Sequence, residues 1–297
     1  MNRKKQVFPL IPVAVGAAAV ILFIAILGVL QRGPKSDDMT QAGIAYLESL
    51  ERKDPDAVDQ ILRDRYQAQL NSQREELLAQ VRSGELDPFT LFGDSVIMGD
   101  SRAEGFWYFG FVDEAQTLTR AGDTIMAIHN RLDTLEEMNP QYVYLCYGLN
   151  DLKIGYWGSV ETFVEKYMEY IAEIRQRLPD TVVVVSSILP ARAEVYENAA
   201  KRLEEPEPGK EPDMDEIIEL RGFQRLERIP AWNEALKAAC EENDVIFVDN
   251  SQISREYAAL WEEDGIHVKM RFYPHWARNL ILGMLGEGGT QVEENDP

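Results

Sequence analysis

Three short motifs occur in a fixed order along the chain: Gly99-Asp100-Ser101, Gly148-Leu149-Asn150-Asp151 and Asp264-Gly265-Ile266-His267. They supply a hydroxyl, a side-chain amide, and an imidazole with a carboxylate three residues before it. A serine hydroxyl is a weak nucleophile until a base takes its proton, and a histidine base needs a partner that fixes its tautomer. An amide that donates to the developing oxyanion completes the set. The chemistry these residue types point to is nucleophilic acyl transfer through an acyl-serine intermediate.

Two serines compete for the first role, because Gly93-Asp94-Ser95 and Gly99-Asp100-Ser101 both begin a GDSxxxG spacing. A nucleophile should end a buried strand and open a helix, so that its own N–H faces the site. Ser101 follows Val96-Ile97-Met98 and precedes Arg102-Ala103-Glu104, which are good helix formers. Ser95 precedes the apolar run and reads as a turn residue, so Ser101 is the expected nucleophile. Of three histidines, only His267 has an aspartate, Asp264, at the required offset, with Gly265 between them to permit a tight turn. His129 reads as a helix-surface residue and His275 as a packing residue beside Trp276. Asn150 follows an apolar strand, where its side-chain amide can donate to an oxyanion and Gly148 lets backbone approach closely. Asn-Asp after a strand is also ordinary turn chemistry. Asp151 is assigned to holding that loop, and the Gly122 N–H, after the second strand, is a candidate second oxyanion donor.

The elements that must position these residues alternate along the chain. Short apolar runs at 96–98, 117–119, 142–147, 181–189 and 245–249 read as strands. Helical patterns at 125–135, 160–177 and 231–242 lie between them. Continuous apolar strands suit a parallel sheet buried on both faces, which predicts a three-layer α/β/α sandwich over residues 88–286. Function in such sheets gathers at the strand C-termini, and the motifs sit at those ends or in the loop after the last strand. Residues 193–228, rich in Glu, Pro and Lys, read as an exposed acidic insertion, a solvated loop in preference to a lid. Helical periodicity over 40–86 places a linker and helical stalk at 32–87, and residues 287–297 form an acidic tail.

Val7 to Leu30 holds 24 residues without a charge, enough for a hydrocarbon core of about 30 Å. The run is longer than a signal-peptide core and lacks a small-x-small cleavage site, so residues 1–31 read as an uncleaved signal anchor. Arg3, Lys4 and Lys5 before it point the N-terminus inward and the body outward. The expected place is thus the cell membrane, single-pass, with the catalytic domain extracytoplasmic. A formal charge of −21, from 51 acidic and 30 basic residues, argues against nucleic-acid or anionic-lipid binding. Cys146 and Cys240 lie in apolar and helical patterns and read as buried free thiols, and no metal-type Cys/His spacing occurs.

Taken together, the motifs resemble those of the SGNH or GDSL hydrolases, with block I at Gly99-Asp100-Ser101, block II at Gly122, block III at Gly148-Leu149-Asn150-Asp151 and block V at Asp264-Gly265-Ile266-His267. The resemblance covers roughly Pro88 to Leu285. It implies a flavodoxin-like five-stranded sheet, Ser101 as nucleophile, and His267 as base oriented by Asp264. It further implies an oxyanion hole from the Ser101 and Gly122 amides with the Asn150 side chain, and no metal or other cofactor. Arg102 departs from the leucine that usually follows the family's serine. Three functions follow as expectations. The first is an esterase acting on a small-molecule or glycan O-acyl ester, with a cell-envelope acetyl ester as the favoured case. The others are an O-acyltransferase using the same acyl-Ser101, and a non-catalytic membrane-tethered binding module.

Overall fold

The computed structural model describes residues 38–51, 55–206 and 209–287. The segment 1–31 expected to anchor the chain, and the tail beyond residue 287, lie outside them. Among the described residues no helix is long and apolar enough to cross a membrane. The chain divides into two compact units between Leu70 and Asn71. The first contains α1 (Asp38–Glu51) and the N-terminal part of α2 (Pro55–Ser83). Ile61, Leu62 and Tyr66 on α2 are exposed.

The second unit holds the motifs. In chain order it contains β1 (Ser95–Gly99), α3 (Ser101–Tyr108), β2 (Thr117–Thr119), α4 (Met126–Asn130), α5 (Leu132–Met138) and β3 (Tyr142–Cys146). It continues with α6 (Leu149–Ile154), α7 (Val160–Arg177), β4 (Val182–Ser186), α8 (Ala193–Glu204) and α9 (Met214–Arg225). The chain then runs through α10 (Ile229–Glu242), β5 (Ile246–Val248), α11 (Ser251–Glu256) and α12 (Tyr273–Leu282). The five strands form one parallel sheet in the order β2-β1-β3-β4-β5. That order is the flavodoxin-like one, in which the connection reverses direction between β1 and β3.

Successive strand residues point to opposite faces, and this sheet is apolar on both. Val96, Met98, Val143, Leu145, Val183 and Val185 face a core shared with α4, α5, α7 and α10. Ile97, Tyr144, Cys146, Val184 and Val248 face the other core, shared with α3 and α12. This alternation is the three-layer sandwich expected from the unbroken apolar runs. Phe106 and Phe163, one on each side, are fully buried. Each such ring contributes about 1.5–3 kcal/mol through burial.

Three readings are corrected. Residues 193–228 are not a solvated loop: α8 and α9 pack on each other and bury Ala199, Leu220 and Leu226. Their charged residues occupy the outer faces, which hid the helical signal in an acidic composition. The helix expected over 125–135 is two helices broken at Arg131. Its guanidinium donates to the Leu118 carbonyl at 2.6 Å and pairs with Asp123, so side-chain bonds replace helical continuity there. Ser95 is not a turn residue but the first residue of β1, buried and paired with Tyr142.

Candidate active site

β1 ends at Gly99, where an added Cβ would lie 2.4 Å from the Ala103 Cβ and 2.8 Å from the Cys146 carbonyl oxygen. Only glycine lets the strand pass so close to β3 and turn at once into α3. Asp100 caps that helix: its carboxylate accepts the Arg102 N–H at 3.0 Å. The cap bonds the second amide of the helix and leaves the first, the Ser101 N–H, without a partner among the described residues. Ser101 is thus displayed at a helix N-terminus with its own amide open.

The base comes from the loop that follows a single 3-10 turn (Ala258–Leu260) after α11. Trp261 and Val268 form an antiparallel bridge at its neck. Inside the loop, Asp264 Oδ1 accepts the N–H groups of Ile266 and His267, each at 2.9 Å. Its other oxygen, Oδ2, lies 2.5 Å from His267 Nδ1. His267 Nε2 in turn lies 2.9 Å from Ser101 Oγ. Partial burial pushes the Asp264 carboxyl up, but the hydrogen bonds from His267, Ile266 and the His267 backbone outweigh it and hold the carboxyl below its usual range. The carboxylate therefore stays charged where it can orient the ring and stabilise an imidazolium. His267 and Asp264 are about half exposed, so water reaches the base.

The third motif supports the floor. Gly148 adopts φ +123°, and a side chain there would collide with Ile188. It caps α6 so that Asn150 and Asp151 turn toward the segment after β2. The Asn150 side-chain amide donates to the Asp123 carbonyl at 3.0 Å. This uses one of its two N–H bonds and leaves one for another acceptor. Asp151 is fully buried and accepts the Ile125 N–H and the Trp157 indole N–H, the latter at 2.7 Å. Burial pushes its carboxyl up to about 7 against the pull of those hydrogen bonds. Gly122 lies in the same segment at φ +84°, exposed, and its N–H has no partner among the described residues. Asn150 and Asp151 together clamp the turn that presents it.

The structure thus brings Ser101, His267 and Asp264 into one hydrogen-bonded chain and ties Asn150 to the Gly122 turn. The other histidines stand apart: His129 is exposed and meets Glu173, and His275 stacks on Tyr257. Both cysteines are free and buried, and burial pushes each thiol up to about 12, so neither offers a competing thiolate. Among the described residues no group of three His, Cys, Asp or Glu side chains is arranged to hold a metal ion.

Beside the His267 loop opens a cleft of about 640 Å³. Its walls come mainly from the base loop and from α8 and α9, and they mix charged and amide residues such as Arg192, Asn198, Arg202 and Glu263 with the apolar Val195, Leu220 and Phe223. Sequence reading missed both this wall and the buried Arg102, whose partner is a carbonyl 87 residues away.

A parallel sheet presenting a serine, a histidine and an aspartate at its C-terminal edge defines a class of ester-cleaving hydrolases. The sequence model of the GDSL-like lipase/acylhydrolase family matches residues 91–273, more than half of the chain and all of the motif-bearing region. The chain belongs to that family and is an ester hydrolase. No curated protein matches it. Among solved structures it is similar to a GDSL-like lipase from Bacteroides thetaiotaomicron, with 15% identity, a TM-score of 0.44, and coverage of 71% of this chain and 96% of that one. It is also similar to an acetylxylan esterase from Geobacillus stearothermophilus, with 15% identity, a TM-score of 0.41, and coverage of 65% and 94%. The family assignment rests on the sequence model and not on these distant likenesses.

Proposed function

We propose that the protein is a serine esterase that cleaves an O-acyl ester through an acyl-Ser101 intermediate. The observation that carries this reading is the Asp264–His267–Ser101 chain, with its 2.5 and 2.9 Å links. Ser101 Oγ attacks the ester carbonyl while His267 Nε2 takes its proton. Asp264 stabilises the resulting imidazolium. The negative charge on the carbonyl oxygen is met by the Ser101 and Gly122 N–H groups and the free N–H of Asn150. Collapse breaks the bond to the alcohol, which leaves with the proton from His267. Water then attacks the acyl carbon as His267 takes its proton, and His267 returns that proton to Ser101 Oγ as the Oγ–acyl bond breaks and the acid leaves.

The favoured substrate is a short acyl ester on a polar alcohol such as a cell-envelope glycan. The support is the cleft beside His267, an open groove in which Lys153, Arg192, Glu194, Asn198, Arg202 and Glu263 stand among apolar residues and can meet the hydroxyls of a polar alcohol. The uncharged run at 7–30 would hold the enzyme at the membrane with the second unit outside. Half-exposed His267 leaves room for water to enter the acyl-enzyme, as hydrolysis requires. Purified protein should hydrolyse p-nitrophenyl acetate, and Ser101→Ala should lower kcat by roughly 10³-fold or more. Activity retained in that variant sinks the assignment. Reaction with a donor ester plus glycan acceptor should yield free acid only, and an acylated acceptor would instead establish transferase activity.

A further inference from the structure

Directly beneath the proposed nucleophile lies a buried charge pair that the ester chemistry does not use. Asp100 and Arg102 are almost completely shielded from solvent, and the Arg102 Nε lies 3.7 Å from Asp100 Oδ1. Burying a guanidinium is costly unless it is paired and hydrogen-bonded. Here the pairing is incomplete: Arg102 Nε and Asp100 Oδ2 have no hydrogen-bond partner. What Arg102 does have is a 2.7 Å bond from Nη1 to the carbonyl of Leu189, in the loop after β4.

That loop is the link between the two halves of the site. One residue beyond Leu189, the Pro190 carbonyl accepts the Trp261 indole N–H at 3.1 Å, at the neck of the base loop. Three residues beyond, the Arg192 N–H donates to the Gly265 carbonyl at 2.8 Å, between Asp264 and His267. Gly265 is pressed so closely against this segment that a Cβ would lie 2.6 Å from Val195 and 3.1 Å from the Arg192 Cβ. On its other side the loop is bracketed by Asn233, which bonds both the N–H and the carbonyl of Ile188. A continuous path therefore runs from the residue after Ser101, through Leu189, Pro190 and Arg192, to the loop that carries the base.

We propose that Arg102 is a positioning residue: by holding the Leu189–Arg192 loop against α3, it sets the reach of His267 to Ser101. This inference rests on the acyl-Ser101 reading. A leucine at this position could fill the space but could not bond the Leu189 carbonyl. Asp264 and His267 are half exposed, while Trp261, Ile266 and Val268 anchor the loop in the core. The Trp261–Pro190 and Gly265–Arg192 bonds join it to the Leu189–Arg192 segment, so a shift of that segment moves the base.

The test is kcat per active site, with sites counted by titration with a fluorophosphonate. Arg102→Leu should lower kcat per titrated site on p-nitrophenyl acetate about 10–100-fold, the cost of misplacing a catalytic group by an ångström or less. KM should stay close to wild type, and Arg102→Lys should recover most of the loss, because an ammonium can still donate to the Leu189 carbonyl. A merely structural role predicts a smaller titrated fraction with kcat per site unchanged, and that result overturns the proposal. Where Arg102→Leu does not fold, Trp261→Phe removes the Pro190 bond while keeping an aromatic ring against Phe272. It should show the same kcat-only loss at a smaller size, and an unchanged kcat per site overturns the brace. Ser101→Ala assayed in parallel separates the two ideas. If it stays active, the nucleophile assignment and the brace both fall. If it is inactive while folded Arg102→Leu is unimpaired, only the brace falls.

Discussion

The Asp264 loop and the Asp151 turn each place an aspartate within three residues of a polar group in the proposed site, yet they treat it in opposite ways. Asp264 is about half exposed and meets an imidazole and two backbone N–H groups, and its carboxyl is held below the ordinary range. Asp151 is fully buried, meets one backbone N–H and one indole, and its carboxyl is pushed up to about 7. Hydrogen-bond donors are present in both places, so solvation decides the difference. A carboxylate that must support a positive imidazolium has to remain charged throughout the cycle. One that clamps a turn needs only to accept hydrogen bonds, which either protonation state allows. The same residue type is thus an orienting group in one loop and a structural latch in the other.

The largest effect that should separate them is on turnover. Asp264→Asn keeps the shape of the side chain but removes the charge and presents an amide to His267 Nδ1, favouring the wrong tautomer. Its kcat should fall by roughly 10³–10⁴-fold with the fold retained. Asp151→Asn should leave kcat near that of the wild type. Steady-state kinetics on p-nitrophenyl acetate measures both, and equal losses in the two variants would erase the distinction. A smaller effect belongs to the neighbour of Asp151. Asn150→Ala removes an oxyanion donor and the bond to the Asp123 carbonyl, so kcat should fall by roughly 10²–10³-fold. A loss confined to KM would move Asn150 from the oxyanion to substrate binding.

What was readable in the sequence follows the same division. Asp264 and His267 interact across three residues, so their spacing exposes the pair, whereas Ser101 shares its spacing with Ser95 and is singled out by the strand before it and the helix after it. The sheet was legible because five parallel strands buried on both faces carry unbroken apolar runs, and β2 and α7 have the bounds their patterns predict. Long-range partners were not legible. Nothing near Arg102 in sequence announces the Leu189 carbonyl, and nothing near Arg131 announces Asp123 or Leu118. The α8–α9 pair was missed for a different reason. Two helices that mainly cover each other need few fully buried residues, and Ala199 is the one such residue on α8. Their composition therefore stays that of a solvated loop although they wall the cleft beside His267.

The smallest predicted effect is on stability and isolates Asp151 from the rest of the site. Its carboxyl titrates near 3.8 when solvated and at about 7 in the fold. Below pH 4 it is protonated in both states and contributes no slope. Between about pH 4 and 7 the unfolded chain releases the proton that the folded chain keeps, so stability falls as pH rises, by at most about 1.4 kcal/mol per pH unit. Above pH 7 the contribution levels off. Asp264 has the opposite sign, because its folded carboxyl is lowered: its contribution is present above the unfolded value and is lost as pH falls through the folded one. Asp151→Asn should therefore flatten the decline in urea midpoint between pH 4 and 7 and leave the acid limb unchanged. Asp264→Asn should do the reverse. If the midpoint of Asp151→Asn declines across that window as steeply as the wild type's, Asp151 ionises in the fold as it does in water, and the contrast between the two aspartates fails.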